Sequence, residues 1–237
     1  MKTLLAIAGG FGSRLKSVVS DVPKPLAPVG GKTFLSFWVE NCVRQGVDDF
    51  VFLLHYKAEQ MTRAIFELEE NGYFGSASIR YLVESSPLGT AGAVINAIRE
   101  LNITSPFLVS NVDTWLGDGI SDVNQSEMSS VAIIKVPDCR RYGRVEHDGF
   151  RVKSFFEKSV SVGAGDINAG LYQLNPNDFD LSKEGFVSLE REVLPKLVER
   201  ENLAVVPVSA KFIDIGVPED YFRFCAWMKN KEAYRAL

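Results

Sequence analysis

The feature that most constrains the fold is the alternation of strand-like and helix-like segments through the first half of the chain. Apolar runs of strand length alternate with segments of helical periodicity. The predicted order is strand 3–8, helix 34–45, strand 49–55, helix 58–70, strand 78–83, helix 90–101 and strand 106–111. Strands that alternate with helices pair in parallel through right-handed crossovers. We therefore expect an α/β fold with an open, doubly wound, Rossmann-like sheet that is mostly parallel and binds ligands at the carboxyl ends of its strands.

The second half of the chain has a different pattern. Strands dominate it, and an Asp-Gly turn at 148–149 predicts a hairpin. The predicted elements are strand 130–136, hairpin strands 144–147 and 150–157, strand 166–174, helix 189–199, strands 203–208 and 212–215, and helix 218–229. We expect these strands to make the sheet a mixed one and to add a small antiparallel lobe. No linker-like, repeated or low-complexity segment interrupts the chain, so one domain over 1–237 is expected.

Composition excludes several classes of protein. Hydrophobic residues make up 46% of the chain and charged residues 24%, which is typical of a soluble globular protein and not of a disordered one. The net charge of −4 argues against nucleic acid or an anionic membrane as a partner. An anionic substrate must then be held by a few local cations. The N-terminal apolar run is too short for a signal peptide, so we expect a cytoplasmic protein.

Cysteine and histidine are too sparse for a metal or disulfide framework. The three cysteines, Cys42, Cys139 and Cys225, are far apart and include no Cys-x-x-Cys pair. We expect them to be buried, reduced thiols. The two histidines, His55 and His147, cannot by themselves form a metal site.

A glycine-rich segment follows the first predicted strand. Three glycines within the four positions 9–12 let main-chain N–H groups approach an anion. Arg14 adds a planar cation suited to phosphate oxygens, and Lys24 is stiffened by a proline on each side. This combination favours a triphosphate ligand. The spacing matches neither Gly-x-Gly-x-x-Gly nor a P-loop. The candidate nucleotide-binding residues of this segment are Ala8, Gly9, Gly10, Gly12 and Ser13.

Two motifs together resemble the signature of sugar-1-phosphate nucleotidyltransferases. They are Gly-Gly-Phe-Gly-Ser-Arg-Leu at 9–15 and Pro-Lys-Pro-Leu-Ala-Pro at 23–28. Members of that family join a nucleoside triphosphate to a sugar 1-phosphate and release pyrophosphate. The resemblance implies a GT-A-like fold with a sugar-binding lobe, a Mg²⁺ cofactor, and an NDP-sugar product used for surface glycans such as lipopolysaccharide or capsule. Among the branches, segment 16–22 resembles that of the D-glycero-D-manno-heptose 1-phosphate guanylyltransferases; a mannose- or glucose-1-phosphate enzyme using GTP or UTP is the alternative.

The resemblance implies that two carboxylates hold the metal ion. Asp113 lies in Asn-Val-Asp-Thr at 111–114, which resembles the family's Asn-Gly-Asp-Thr. Asp214 lies in 212–221, which resembles a segment containing Asp-Ile-Gly-Thr-Pro-Glu-Asp-Tyr. A carboxylate between apolar strand residues is costly unless it is paired or bound to a cation. We expect Asp113 and Asp214 to hold one Mg²⁺, whose preferred ligands are oxygens.

The segment 83–92 resembles the family's base-recognition loop. Glu84 can only accept hydrogen bonds at neutral pH, and guanine offers two adjacent donors, whereas uracil and thymine offer one donor flanked by carbonyls. GTP is therefore favoured. Gly89 and Gly92 are expected to let the main chain approach the base. Thr90 belongs to the same candidate nucleotide site and is also expected to cap the helix that follows.

Three further segments resemble the family's sugar-phosphate site. Glu157 and Lys158 match a Glu-Lys segment that contacts the sugar phosphate, and Asn168 begins an Asn-Ala-Gly segment that places an amide on sugar hydroxyls. Tyr142 and Gly143 match a Tyr-Gly turn over the sugar.

The expected reaction is a direct displacement in which Arg14 and Lys24 brace the negative charge. Val112 and Val217 replace a glycine and a threonine usual in the family, and they favour the alternative of a non-catalytic nucleotide-sugar sensor. A dehydrogenase is disfavoured because His55 stands where such proteins carry an acid.

The roles of two sets of residues are left open by the sequence. Arg140 and Arg141 are either surface charges or ligands of the sugar phosphate. The aromatic residues of helices 34–45 and 218–229 are assigned to packing, with a homo-oligomer face as the alternative.

Overall fold

The computed structural model describes residues 2–10, 15, 18–19, 22–156 and 163–230. Its strands are β1 (Thr3–Ile7), β2 (Pro28–Val29), β3 (Lys32–Thr33), β4 (Asp49–Leu54), β5 (Ser78–Val83), β6 (Phe107–Asn111), β7 (Thr114–Leu116), β8 (Ser130–Val136), β9 (Arg144–His147), β10 (Val152–Phe156), β11 (Gly165–Leu174), β12 (Ala204–Pro207) and β13 (Phe212–Asp214). Its α-helices are α1 (Phe34–Arg44), α2 (Ala58–Glu70), α3 (Gly89–Leu101), α4 (Ile120–Asn124), α5 (Leu194–Glu199) and α6 (Pro218–Lys229).

The chain divides into two compact units. The first contains Met1–Ser86, Asn111–Asp118 and Lys211–Leu237, and the second contains Pro87–Ser110 and Gly119–Ala210. A single domain over the whole chain stays a prediction. The fold class is confirmed, because strands and helices alternate, β1, β4 and β5 pair in parallel in the first unit, and β11 pairs antiparallel with its neighbours in the second.

Three parallel strands form the centre of the first unit. β4 lies between β1 and β5, with Ile7 opposite Leu53 and Leu54 opposite Val83. β4 is buried along its whole length, as its apolar run predicts. Since parallel strands end at the same edge of a sheet, the residues that follow β1, β4 and β5 are brought together there.

A buried carboxylate ties the same three strands at their opposite, amino-terminal edge. Asp49 accepts hydrogen bonds from Thr3 Oγ1 at 2.7 Å, Ser78 Oγ at 2.6 Å and the Arg80 guanidinium at 2.6 Å. Burial alone would raise the pKa of Asp49, but the hydrogen bonds from Ser78, Arg80 and Thr3 hold that pKa below its ordinary value.

A two-stranded antiparallel ribbon completes the first unit. β13 pairs with β7, with Asp214 opposite Thr114. Helix α6 follows the ribbon, and Phe224 on it packs 4.7 Å from the ring of Phe34 and 5.9 Å from that of Trp115. These ring contacts confirm the packing role predicted for Phe34 and Phe224.

The second unit is built around β11. This strand pairs antiparallel with β6, β8 and β9, and β12 pairs parallel with β8. β9 and β10 form the predicted hairpin. The β11–β8 register shifts between Asn168 and Tyr172, and Gly170 adopts a φ of +70° in that interval. The regular pairing of β11 with β8 is therefore interrupted beside Asn168.

Most predicted elements match the observed ones within a residue or two, and the helix predicted at 189–199 differs in kind. Its first turn, Leu189–Val193, is π-helical, and α5 begins only at Leu194. The Leu194 N–H donates to the Leu189 carbonyl five residues back, which is the spacing of a π-helix, and Pro195, which has no N–H, follows directly. Neither β7 nor α4 was predicted, because both are too short to show a clear periodicity.

Two expectations drawn from composition can be compared with the structure. All three cysteines are free thiols, but Cys225 is partly exposed, so the prediction of full burial was wrong for that residue. None of the helices in the described residues is both long and apolar enough to cross a membrane. The cytoplasmic location stays a prediction.

Candidate active site

Residues 8–10, which follow β1, lie at the carboxyl edge of the three parallel strands. The Ala8 N–H donates to the Leu53 carbonyl at 3.0 Å, which continues the β1–β4 pairing one residue beyond the strand. Gly9 packs on His55, since a Cβ placed on it would lie 3.4 Å from the His55 Cβ. At Gly10 a Cβ would meet no atom of the described residues within 4 Å. The rest of this predicted site, Gly12, Ser13 and Arg14, lies outside the described residues.

Lys24 is aimed at a carboxylate of the candidate metal site. It begins a 3₁₀ turn, Lys24–Leu26, that Pro23 precedes and Pro25 continues. Its Nζ donates to Asp113 Oδ2 at 2.6 Å, and the two side chains are only 14% and 30% exposed. The flanking prolines restrict the main chain of Lys24, as predicted, and its side chain is held by the bond to Asp113.

The two predicted metal-binding carboxylates are brought together by the main chain. Asp113 directly precedes β7 and Asp214 ends β13, so the pairing of Asp214 with Thr114 puts the two acids on neighbouring segments of the main chain. The Ile215 N–H donates to the Asp113 carbonyl at 3.1 Å, and Asp214 Oδ1 accepts the Gly216 N–H at 2.7 Å. Both side chains are partly exposed.

This acidic segment adjoins residues 8–10. The Val112 N–H donates to the Ile7 carbonyl at 3.1 Å, at the end of β1. Asp113 therefore follows at the same edge as Ala8. Val112 itself is fully buried, so the valine fills the core of the unit. Val217 is the N-cap residue of α6 and makes no side-chain cap, which agrees with its predicted place at a helix start.

Glu84, the predicted base reader, follows β5 at this edge. Its N–H donates to the Leu54 carbonyl at 2.8 Å, and its carbonyl lies 3.1 Å from His55 Nδ1. Both polar groups of its main chain are therefore held, while its half-buried carboxylate extends from a fixed position.

The second unit contains Gly89 and Thr90, and their surroundings differ from expectation. A Cβ on Gly89 would lie 2.6 Å from the Val187 carbonyl oxygen, and one on Gly92 would lie 2.8 Å from that of Gly185. Because Gly89 and Gly92 have no Cβ, the main chain of 185–187 can pack closely against them. Thr90 does not cap α3, because that helix begins at Gly89 with Leu88 as its N-cap.

Thr90 instead ties α3 to the π-helical turn. Its hydroxyl donates to Glu190 Oε2 at 2.9 Å and accepts the Leu189 N–H at 2.7 Å. The helix-cap role predicted for Thr90 was therefore wrong. The nucleotide-binding roles of Gly89 and Thr90 stay predictions.

Part of the predicted sugar-phosphate site is assembled in the second unit. The Asn168 N–H donates to the Gly143 carbonyl at 3.1 Å, so the Tyr-Gly turn and the Asn-Ala-Gly segment meet. Asn168 Nδ2 donates to the Tyr172 hydroxyl at 2.7 Å, while its Oδ1 accepts the Gly170 N–H at 2.9 Å. Both contacts orient the amide.

The other residues predicted near the sugar are only partly described. Glu157 and Lys158 lie outside the described residues. The Arg140 Nε donates to Asp138 Oδ2 at 2.8 Å, and the Arg140 side chain is mostly exposed, as a surface ion pair would be. The Arg141 guanidinium lies over the Tyr142 ring, 5.8 Å from its centroid.

Comparison with known proteins places this arrangement in a family. The family model described as nucleotidyl transferase matches residues 4–230. The chain belongs to the nucleotidyl transferase family. The prediction of an enzyme of this family is confirmed.

Three relatives of this nucleotidyl transferase illustrate its similarities. The D-glycero-α-D-manno-heptose 1-phosphate guanylyltransferase of Campylobacter jejuni is 34% identical over 93% of this chain and 97% of its own length. A mannose-1-phosphate guanyltransferase of Kluyveromyces lactis is also 34% identical over 92% of this chain, which spans only 62% of that relative. The crystal structure of HddC from Yersinia pseudotuberculosis complexed with GMP-PN superposes with a TM-score of 0.81 at 32% sequence identity. The match covers 95% of this chain and 99% of the HddC chain.

Sequence reasoning about this nucleotidyl transferase missed one residue of the carboxyl edge. His55 was noted only as standing where a dehydrogenase has an acid. The structure places it between Gly9 and Glu84. The signal that could have found it was its position directly after β4, the strand predicted to lie beside the first one.

Proposed function

We propose that this nucleotidyltransferase transfers GMP from GTP to a sugar 1-phosphate and releases pyrophosphate, with D-glycero-α-D-manno-heptose 1-phosphate as the sugar substrate. The observation that carries this proposal is the match to the Campylobacter jejuni heptose 1-phosphate guanylyltransferase, which extends over 97% of that relative. The related HddC structure was solved with GMP-PN, which supports a guanine nucleotide.

Glu84 gives a physical reason for the choice of guanine. An ionised carboxylate only accepts hydrogen bonds, and guanine presents N1–H and the 2-amino group side by side. Uracil and thymine would turn carbonyl oxygens toward the same carboxylate and be repelled. The fixed main chain of Glu84 supports this role, because a carboxylate that discriminates between bases must project from a fixed point.

The proposed reaction is a single in-line displacement. A phosphate oxygen of the sugar 1-phosphate attacks the α-phosphorus of GTP, the bond to the β-phosphate oxygen breaks, and pyrophosphate leaves with the electron pair. The phosphomonoester is already anionic near neutral pH, so the attack requires no general base. Arg14 and Lys24 neutralise the developing charge, and the N–H groups of Gly9 and Gly10 face the phosphates.

Asp113 and Asp214 form a donor set that fits a magnesium ion. Both offer carboxylate oxygens, which Mg²⁺ prefers, from main-chain segments that are hydrogen-bonded to each other. No group of three or more His, Cys, Asp or Glu side chains suited to a metal occurs among the described residues, so phosphate oxygens would complete the coordination. We propose that these two residues hold Mg²⁺, which when bound neutralises phosphate charge.

The sugar phosphate is assigned to residues of the second unit. Asn168 presents an amide that its contacts with Tyr172 and Gly170 hold in one orientation, as recognition of a hydroxyl group requires. Tyr142 and Gly143 lie over the sugar in this proposal, and Glu157 and Lys158 contact its hydroxyls and phosphate.

Two alternatives remain distinct from this proposal. The Kluyveromyces lactis relative favours mannose 1-phosphate as the acceptor, at the same identity of 34%. A non-catalytic sensor loses support, because the two substitutions that favoured it occupy a core position and a helix start.

The test is pyrophosphate release in Mg²⁺, with each of GTP, UTP, CTP, ATP and dTTP combined with heptose, mannose, glucose and N-acetylglucosamine 1-phosphates. Turnover with GTP and the heptose is expected. Turnover only with mannose 1-phosphate would contradict the sugar assignment, and turnover with UTP or dTTP would contradict the role of Glu84. A folded protein that binds nucleotide but is inactive with every pair would support the sensor.

A further inference from the structure

His55 occupies the centre of the carboxyl edge in the first unit. It directly follows β4, the middle of the three parallel strands. Gly9 follows the strand on one side, and Glu84 follows the strand on the other. His55 therefore lies between the segment assigned to the phosphates and the residue assigned to the base.

His55 contacts both neighbours directly. On one side a Cβ on Gly9 would lie 3.4 Å from the His55 Cβ and 3.8 Å from the His55 main-chain nitrogen, so Gly9 packs on this residue. On the other side the His55 Nδ1 lies 3.1 Å from the Glu84 carbonyl oxygen. A carbonyl oxygen can only accept a hydrogen bond. This contact therefore requires the hydrogen to be on Nδ1, which acts as the donor.

The contact with Glu84 completes the anchoring of that residue. The Glu84 N–H is already bonded to the Leu54 carbonyl, so the His55 bond occupies the remaining polar group of its main chain. The Glu84 main chain is then held by two consecutive residues, Leu54 and His55, and the second of them also packs beside Gly9.

We propose that His55 is a positioning residue of the nucleotide site, whose ring holds the main chain of Glu84 while its Cβ and main chain pack beside Gly9. The inference rests on the proposed function, because it explains how the main chain of the guanine-reading residue is held beside the phosphate-binding segment. His55 acts through Glu84 and Gly9, and it is assigned no chemical step.

The test uses two variants of nearly equal shape. Asn and Leu branch alike at Cγ, but only Asn carries an amide nitrogen close to the position of the histidine Nδ1. His55→Asn therefore keeps a donor for the Glu84 carbonyl and His55→Leu removes it. Binding of GTP and of ATP is measured by calorimetric titration without sugar phosphate, so that no transfer occurs, and a thermal melt is recorded for each variant.

We expect His55→Leu to bind GTP about tenfold more weakly than the wild type, the effect of one lost hydrogen bond, and to bind ATP unchanged. His55→Asn should stay within about threefold of the wild type for GTP. A melting temperature shared by the two variants would show that the difference does not come from folding.

Three results would overturn the inference: wild-type affinity in His55→Leu, equal weakening in both variants, or equal weakening for GTP and ATP. If His55→Leu does not fold, His55→Ala serves as the donor-free variant and must show the same selective loss. A wild type that prefers another nucleotide would contradict the proposed base and not this inference, which is then judged on the preferred nucleotide by the same pair of variants.

Discussion

At the scale of single residues, the surroundings of Gly10 and Gly89 differ in a way that substitution can measure. A Cβ at Gly10 would meet no described atom within 4 Å. At Gly89 it would lie 2.6 Å from the Val187 carbonyl oxygen and 3.1 Å from the Phe186 ring. Gly89 also has a φ of +73°, which side-chain-bearing residues rarely adopt.

We expect Gly89→Ala to lower the free energy of unfolding by at least about 2 kcal/mol, because a left-handed φ and a clash with a main-chain carbonyl act together. Gly10→Ala is the matched control and should change it by less than about 0.5 kcal/mol. Urea unfolding of both variants checks this. Equal stability of the two variants would show that the Val187 segment yields easily.

The contrast between these glycines also shows where reasoning from sequence reached its limit. The glycines of the 83–92 loop predict that its main chain approaches a nucleotide base, and that role stays a prediction. The approaching group in the structure is the segment 185–187, which lies about 100 residues further along the chain. No local pattern identifies such a partner, because it is set by the packing of α3 against the π-helical turn.

At the scale of elements, Asp49 is the residue on which the alignment of the three parallel strands depends most directly. Asp49 lies on β4 and accepts one hydrogen bond from each neighbouring strand, from Thr3 on β1 and from Ser78 on β5, and it forms an ion pair with Arg80 on β5. Its side chain is 1% exposed, so the removal of its charge leaves these donors with a weaker acceptor.

We expect Asp49→Asn to reduce the free energy of unfolding by about 2 kcal/mol at pH 7. The pKa of Asp49 is lowered in the folded state, so its stabilisation is present above the ordinary carboxyl pKa and is lost as the pH falls through the folded value. The difference in free energy of unfolding between the wild type and Asp49→Asn should therefore become smaller below about pH 4.

Urea unfolding between pH 3 and pH 7 measures this difference, and the exposed Asp122 provides the control variant Asp122→Asn. A gap between wild type and Asp49→Asn that stays constant with pH would mean that the lost stability comes from packing and not from the charge.

Most elements were predictable from the sequence, because apolar runs and helical periodicity are local properties. β4 and α2 are examples, since the first is a continuous apolar run and the second has a regular polar and apolar spacing. The ribbon of β7 and β13 was only half predictable. β7 has three residues, and its pairing depends on a strand far away in the chain.

At the scale of the whole molecule, the described charges of the candidate site include an ion pair and a carboxylate held by the main chain. Lys24 neutralises Asp113, and Asp214 accepts a main-chain N–H. In the part of the chain that is described, the protein offers a metal ion no cluster of three or more candidate side chains. The ion and the nucleotide should therefore depend on each other for binding.

We expect Mg²⁺ alone to raise the melting temperature little, and Mg²⁺ with GTP to raise it by more than the sum of the separate effects. At a nucleotide concentration 100 times the dissociation constant the stabilisation is about 2.7 kcal/mol. Thermal melts with Mg²⁺, GTP, both and neither measure this. Asp113→Asn should abolish the excess and most turnover while the fold is kept, and Asp118→Asn, an exposed acid of the same segment, should not.

If Asp113→Asn still shows a rise in melting temperature beyond the sum of the separate effects of Mg²⁺ and GTP, the assignment of that carboxylate to the ion is contradicted. Loss of the excess in Asp118→Asn as well would point to the net charge of the segment and not to a specific ligand.

The ribbon that carries the two acids also determines when this site can exist during synthesis. Among the described elements β13 follows β7 by about 100 residues, and the segments of the two acids lie side by side only when these strands pair. The parallel strands β1, β4 and β5 are complete long before that, so Gly9, His55 and Glu84 can assemble on the nascent chain. In a nascent chain that has not yet reached β13, Asp113 would lack the β7–β13 pairing that brings the segment of Asp214 beside it.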